Sequence, residues 1–245
     1  MTAAVPGTLI GSGRNADVYD LGGGRVLRRY RDGRDAERVG AEALIMTRAR
    51  TSGVPVPEVF DVSGSDIVME RAAGPTMLDT LARRPWTMPA QARLLARLHD
   101  LVHAVPLSGL PELTALPGWT GPADGDVLLH RDLHPQNVIL TGRGPMIIDW
   151  EGAARGPAIA DVGLTWVIIG FSDVPLPPVR ATLARTLQAA FARSFVRTAG
   201  PLDETWRATA VRMRLTDSNL LPSEAARLRK LLAAVPRPDG GAGRA

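Results

Sequence analysis

Two carboxylates and one amide, close together in the chain, carry most of its visible chemistry. Asp132 and Asn137 stand five residues apart in His130-Arg-Asp-Leu-His-Pro-Gln-Asn137, and Asp149 follows twelve residues later in Met146-Ile-Ile-Asp-Trp-Glu151. Apolar runs, 127–129, 138–140 and 146–148, flank them, so short strands must bring all three to one edge. Oxygen ligands of this kind suit Mg²⁺, which takes one or two protein ligands and completes its shell with water and substrate phosphates. A carboxylate that the metal does not use can orient or deprotonate a hydroxyl nucleophile. Positioning, a metal and one base are what phosphoryl transfer asks of a protein.

The elements around this block read as two unequal parts. Residues 1–70 form a β-rich unit with one helix: strands over 17–21 and 25–30 about the turn Gly22-Gly23-Gly24, a helix over 35–50, and a strand pair over 58–62 and 66–69. Gly53-Val-Pro-Val-Pro breaks the helix. After a linker near 70–75, residues 71–235 are mainly helical. Helices fall over 77–83 and 89–105, the second with Leu94, Leu98, Leu101, Val102 and Val105 on one stripe. A Pro/Gly-rich loop over 106–125 precedes the strands of 127–148, and helices follow near 158–170, 178–198, 202–219 and 223–234. The Gly/Pro/Arg-rich tail, 236–245, reads as disordered. A cleft between two such parts is a usual place for a ligand.

The segment over 130–149 resembles the catalytic loop H-x-D-x-x-x-x-N and the metal-binding aspartate of the protein-kinase-like fold. The form D-L-H-P-x-N followed by I-I-D-W-E resembles the aminoglycoside phosphotransferase and choline kinase family. The resemblance implies a two-lobed α+β fold with a small β-rich N-lobe and a larger helical C-lobe. It implies Asp132 as catalytic base, Asn137 and Asp149 as Mg²⁺ ligands, and ATP as phosphoryl donor to a hydroxyl on a small-molecule acceptor. Gly11-Ser12-Gly13-Arg-Asn-Ala-Asp-Val18-Tyr resembles the loop that covers the ATP phosphates, with Ala16 in place of its third glycine and Val18 over the adenine. The lysine of the third strand is absent, and its place falls on Arg28, with Glu42 of the next helix as ion-pair partner. Val68-Met69-Glu70-Arg-Ala72-Ala-Gly resembles the hinge: backbone groups of Glu70 and Ala72 would pair with adenine, and Met69 would line its pocket. Asp161 takes the place of an aspartate that braces the catalytic loop from below. Arg28 and Ala16 also motivate a second reading, a nucleotide-binding pseudokinase acting as a sensor or partner-binding module.

Composition excludes other classes. The chain has 245 residues, 45% apolar and 22% charged, the make-up of a globular protein. It has no cysteine, which rules out thiol nucleophiles, disulfides and Cys-ligated metals. Of its 29 basic residues only Lys230 is a lysine, and the arginines are scattered among 25 acids rather than clustered, so the pI near 10.5 does not point to nucleic acid. The start lacks the pattern of a secretory signal and no apolar stretch is long enough for a membrane span, which points to the cytoplasm. His99 and His103, four apart on a helix, read as packing residues rather than metal ligands. His130 reads as packed beneath the catalytic loop, while His134 could orient Asp132 or touch a phosphate. Trp119, Trp150, Trp166 and Trp206 read as core rather than as a cage for a quaternary ammonium. The acids after residue 170 are outnumbered by arginines, which disfavours a polycationic acceptor. The acceptor's identity and the oligomeric state are not legible in the sequence.

Overall fold

Gly22, Gly23 and Gly24 all take positive φ (75°, 58° and 74°), a conformation that only glycine adopts without cost, and they turn β2 (Ala16–Gly22) back into β3 (Arg25–Tyr30). The computed structural model describes residues 7–13, 15–31, 36–116, 126–173, 177–217 and 220–233. The expected tail over 236–245 lies outside them. With β1 (Thr8–Ser12), β4 (Val59–Ser63) and β5 (Asp66–Glu70), the hairpin makes an antiparallel sheet in the order β1-β2-β3-β5-β4. Helix α1 (Ala36–Thr51) covers it, burying Val39, Ala43, Ile45 and Met46, and Glu42 with them.

Chain direction changes after β5 at a point where glycine is required. A Cβ on Gly74 would lie 2.2 Å from the Leu140 carbonyl oxygen. Pro75 accepts from the Leu140 N–H at 2.8 Å, so the connection is stitched to the second part of the chain. Thr76 then caps α2 (Met77–Arg83): its hydroxyl accepts from the Asp79 N–H, and Asp79 accepts from the Thr76 N–H, a capping box.

Helix α3 (Met88–His103) buries Ala92, Leu95, Ala96, Leu98, His99 and Val102. The stripe is turned relative to the sequence expectation: Leu95 is inside and Leu101 is 41% exposed. Spacings of three and four from Leu95 to Leu98, His99 and Val102 satisfy the 3.6-residue period, and Leu101 falls between them. Two small antiparallel pairs follow, β6 (Val127–Leu129) with β9 (Ala154–Gly156) and β7 (Val138–Thr141) with β8 (Gly144–Ile147). Helix α4 (Ala158–Phe171) is buried along most of its length between α5 (Pro178–Ala199) and α6 (Glu204–Leu215), and α7 (Pro222–Ala233) packs outside. The helix expected over 202–219 begins later because Asp203 is its N-cap, accepting from the Trp206 N–H at 2.7 Å. Among the described residues no helix is long and apolar enough to cross a membrane.

Candidate active site

The β7–β8 hairpin explains why residues twelve apart in sequence meet. Val138 pairs with Ile147, and just beyond this pair the Ile148 N–H donates to the Asn137 carbonyl at 3.0 Å. Asn137 and Asp149 therefore leave the same end of one hairpin. Asp149 takes φ 67°, a left-handed conformation uncommon outside glycine, asparagine and aspartate. Trp150, fully buried and donating to the Ile147 carbonyl at 3.2 Å, anchors the turn from inside.

Asp132 is presented by a loop built around a buried carboxylate. Asp161, in the first turn of α4, accepts from the His130 N–H (3.1 Å), the Arg131 N–H (2.7 Å) and His103 Nε2 (3.1 Å). Burial opposes its charge, but the His103 bond and the surrounding histidines outweigh that and hold the carboxyl well below the usual range. His130 packs on Trp150 at 4.7 Å between ring centroids, donates from Nε2 to the Ile148 carbonyl (3.1 Å), and accepts at Nδ1 from the Asp132 N–H (3.3 Å). Its ring is neutral in that arrangement, and burial lowers its pKa in the same sense. The Asp132 carboxylate accepts from Asn137 Nδ2 at 2.9 Å and faces His134 Nε2 at 3.4 Å. Partial burial raises its pKa, and His134, His130 and Asn137 more than reverse this, leaving it lowered and ionised at neutral pH.

Arg28 brings a cation to the Asp149 side of the site. Its Nη1 lies 3.0 Å from Glu42 Oε1, its Nη2 lies 2.6 Å from Asp149 Oδ1, and Glu151 stands at 3.8 Å. Burial works against its charge, but Glu42 and Asp149 prevail and raise the pKa above the ordinary arginine range. The Glu42 carboxyl is pushed up by burial despite Arg28. It also accepts a hydrogen bond from the Tyr30 hydroxyl. Arg29 points elsewhere and pairs with Asp66 at 2.7 Å. Asn15, in the turn between β1 and β2, donates to Glu151 at 2.9 and 3.2 Å, a contact across 136 residues that ties the glycine-containing turn to the Asp149 segment. Neither Tyr30 nor Asn15 stands out in the sequence, although Asn15 sits inside the glycine motif.

These groups share one cleft of about 1320 Å³ between the sheet and the helical part. Gly13, Val18, Arg28, Met69, Glu70 and Ala72 line one side, and Asp132, Asn137 and Asp149 the other. Glu42 stands behind Arg28, and Gly11 pairs with Val18 on β1 without lining the cleft. The Ser12 hydroxyl accepts from Arg31 on the outer surface. The Glu70 N–H donates to the Glu58 carbonyl, so Glu70 can offer an entering ring only its own carbonyl. Leu164, Ile168, Met213, Arg214 and Asp217 extend the lining beyond Asp132. His99 is buried, with ring nitrogens 2.9 Å from the Leu95 carbonyl and 3.0 Å from the Thr165 hydroxyl. Trp150 is core, Trp166 and Trp206 pack against core clusters, and Trp119 lies outside the described residues.

A divalent cation with a polyphosphate fits this donor set. Asn137 commits its amide nitrogen to the Asp132 carbonyl (2.8 Å) and carboxylate, which leaves Oδ1 for a cation beside Asp149. Two oxygen donors are few for a cation held by protein alone, and among the described residues no cluster of three His, Asp or Glu could hold a metal. They are enough when phosphate oxygens share the coordination.

The phosphotransferase enzyme family model matches residues 6–124 and 110–211. A probable bifunctional tRNA threonylcarbamoyladenosine biosynthesis protein of Methanoculleus marisnigri is 27% identical over 165 residues, which are 63% of this chain. The match takes in 26% of that protein, so the chain spans about a quarter of its length. Among solved structures, the aminoglycoside phosphotransferase APH(4)-Ia superposes with a TM-score of 0.63 at 18% identity, covering 93% of this chain and 91% of that one. Spectinomycin phosphotransferase APH(9)-Ia, in complex with ADP and spectinomycin, gives 0.60 at 14% identity over 94% and 89%. A choline/ethanolamine kinase family protein from Mesorhizobium loti gives 0.54 at 16% over 91% and 84%. With a sheet lobe and a helical lobe about one cleft, and with this match along its length, the chain has the protein-kinase-like fold and belongs to the phosphotransferase enzyme family.

Proposed function

We propose that the protein transfers the γ-phosphoryl group of ATP to a hydroxyl of a small molecule. The observation that supports this most directly is the meeting of Asp132, Asn137, Asp149 and the Arg28–Glu42 pair in one cleft. In this reading Val18 and Met69 flank the adenine, the Glu70 carbonyl and the Ala72 N–H meet its edge, and the turn Gly11-Ser12-Gly13 closes over the phosphates. Asn137 and Asp149 hold Mg²⁺, which when bound neutralises charge developing on the transferred group. Arg28 turns from Asp149 towards the α- and β-phosphates while Glu42 keeps its guanidinium in place. Asp132, fixed by Asn137 and His134, accepts the proton of the acceptor hydroxyl as its oxygen bonds to phosphorus and the bond to ADP breaks. Solved relatives at this fold distance are complexes with AMP-PNP and Ca²⁺ or with ADP, which supports a nucleotide with a divalent cation.

Incubation with Mg·ATP and a library of hydroxylated metabolites and antibiotics, read by mass spectrometry for gain of one phosphoryl group, tests the reading. Transfer to an acceptor hydroxyl is the expected result. The short Arg28–Asp149 contact favours a second reading, a nucleotide-binding module without transfer. Nucleotide binding without turnover across the library would select it.

A further inference from the structure

Arg131 stands beside Asp132, and the reaction described above gives its side chain no task. Its backbone holds φ 68°, a left-handed conformation costly for any residue with a Cβ. Its Nε is buried without a hydrogen-bond partner, and a buried donor left unpaired is also costly. The rest of the guanidinium has one long bond, from Nη1 to the Gly152 carbonyl at 3.3 Å, and among the described residues it makes no ion pair. The other three arginines that line the cleft differ in this respect, and Arg71 pairs with Asp20. Arg28 has Glu42 and Asp149, and Arg214 has Asp217 (2.8 Å) and Glu224 (3.0 Å). Burial pushes the Arg131 guanidinium below its ordinary range although Asp161, Asp132 and Asp217 pull the other way. These carboxylates act on the guanidinium from a distance, and among the described residues none pairs with it directly.

The cleft around it fixes what kind of anion can reach it. The cleft that Arg131 lines is also lined by the apolar side chains of Leu164, Ile168 and Met213. It is adjacent in the chain to the carboxylate that would take the acceptor's proton. We propose that Arg131 binds a carboxylate group on the acceptor, which makes the acceptor a hydroxylated carboxylic acid with an apolar body. This rests on the phosphotransferase reading of the cleft. A carboxylate in the cleft meets the planar guanidinium through its two terminal nitrogens with two parallel bonds, while the apolar body lies on Leu164, Ile168 and Met213.

The test uses the full chain saturated with AMP-PNP and Mg²⁺, and three hydroxy acids, mandelate, hydroxyisocaproate and hydroxyphenylacetate, each beside its own carboxamide. Binding is measured by saturation-transfer NMR with competition. At least one acid should bind about tenfold more tightly than its amide, the discrimination expected of one charge-assisted pair. R131Q should remove that preference, and R131K should keep part of it. R131G relieves the left-handed strain, so its Tm should equal or exceed that of wild type while the acid preference is lost, which a purely structural arginine would not produce. Equal binding of acids and amides, silence of all three acids, or an acid preference that persists in R131Q would overturn the proposal. A separate titration of wild type with AMP-PNP and Mg²⁺ keeps the two levels apart. If the nucleotide binds and acids show no advantage, this inference alone fails; if no nucleotide binds, the reading beneath it fails as well.

Discussion

Asp132 has its position determined by three neighbours that meet its carboxylate or its backbone: Asn137, His134 and His130. None of the three is among the groups assigned to nucleotide contact apart from Asn137, so the carboxylate can be altered without dismantling the nucleotide end. D132N should lower kcat by about 10²–10⁴, the usual worth of a positioned base, and leave the Kd for ATP near wild type. Steady-state kinetics with calorimetric titration decide it. Arg28 offers a sharper contrast because its neighbour Arg29 is chemically identical and points away. R28A removes the counter-ion of buried Glu42, and breaking a buried pair from one side costs about 3–5 kcal/mol, less whatever Glu42 recovers by taking up a proton. Both the melting temperature and the ATP KM should therefore suffer. R28K, which keeps the charge, should retain substantial activity, and R29A should leave ATP KM and kcat close to wild type because Arg29 serves Asp66. A silent R28A with an inactive R29A would reverse the assignment.

At the scale of elements, the site depends on two devices that are not themselves polar. The tight β7–β8 hairpin converts a separation of twelve residues into the adjacency of Asn137 and Asp149. Helix α4 carries Asp161 at its start and must lie close to α6. A Cβ built on Gly163 would come within 2.9 Å of the Ala210 Cβ. G163V should force the two helices apart and destabilise the fold by about 1–3 kcal/mol, the usual cost of overpacking a filled contact. Because Asp161 holds the N–H groups of His130 and Arg131, activity should fall further than stability alone explains. Chemical denaturation and kinetics on the same preparation measure both.

Over the whole molecule, burial makes stability depend on pH. His99 is buried and its pKa is lowered from 6.5 to about 4, first by desolvation. Between these values the unfolded chain binds a proton that the folded chain refuses, so stability is full above about 6.5 and falls as the pH drops towards 4. The shift corresponds to roughly 3 kcal/mol at its limit. His130, also lowered, acts in the same direction. Asp161 has its pKa depressed, so its contribution is present above 3.8 and is lost only as pH falls below that. Unfolding titrations from pH 7 to pH 4 should show proton uptake on unfolding and a steady loss of stability, reduced in H99F. A flat profile would mean that His99 is charged in the fold.

The amino-acid sequence by itself singled out the candidate site residues and the order of the lobes. Asp132, Asn137 and Asp149 lie within eighteen residues, and local hairpin geometry is enough to bring them together. The three glycines of the β2–β3 turn, the apolar spacing of the helices and the missing lysine are local features in the same way. Only the tertiary structure decided where the charges point. In β3, Val26, Leu27 and Tyr30 are all buried, so alternation cannot say whether Arg28 or Arg29 faces the cleft. Pairing does: Arg28 lies opposite Val18 and Ile67, and Arg29 opposite Asp17 and Asp66. The bond from His103 to Asp161 spans 58 residues, and that from Arg28 to Asp149 spans 121. Contacts of that kind leave no period or motif in the chain, because their partners are chosen by the packing of sheet on helix and helix on helix. The unpartnered Nε of Arg131 belongs with them, since only a folded interior can deprive a donor of water.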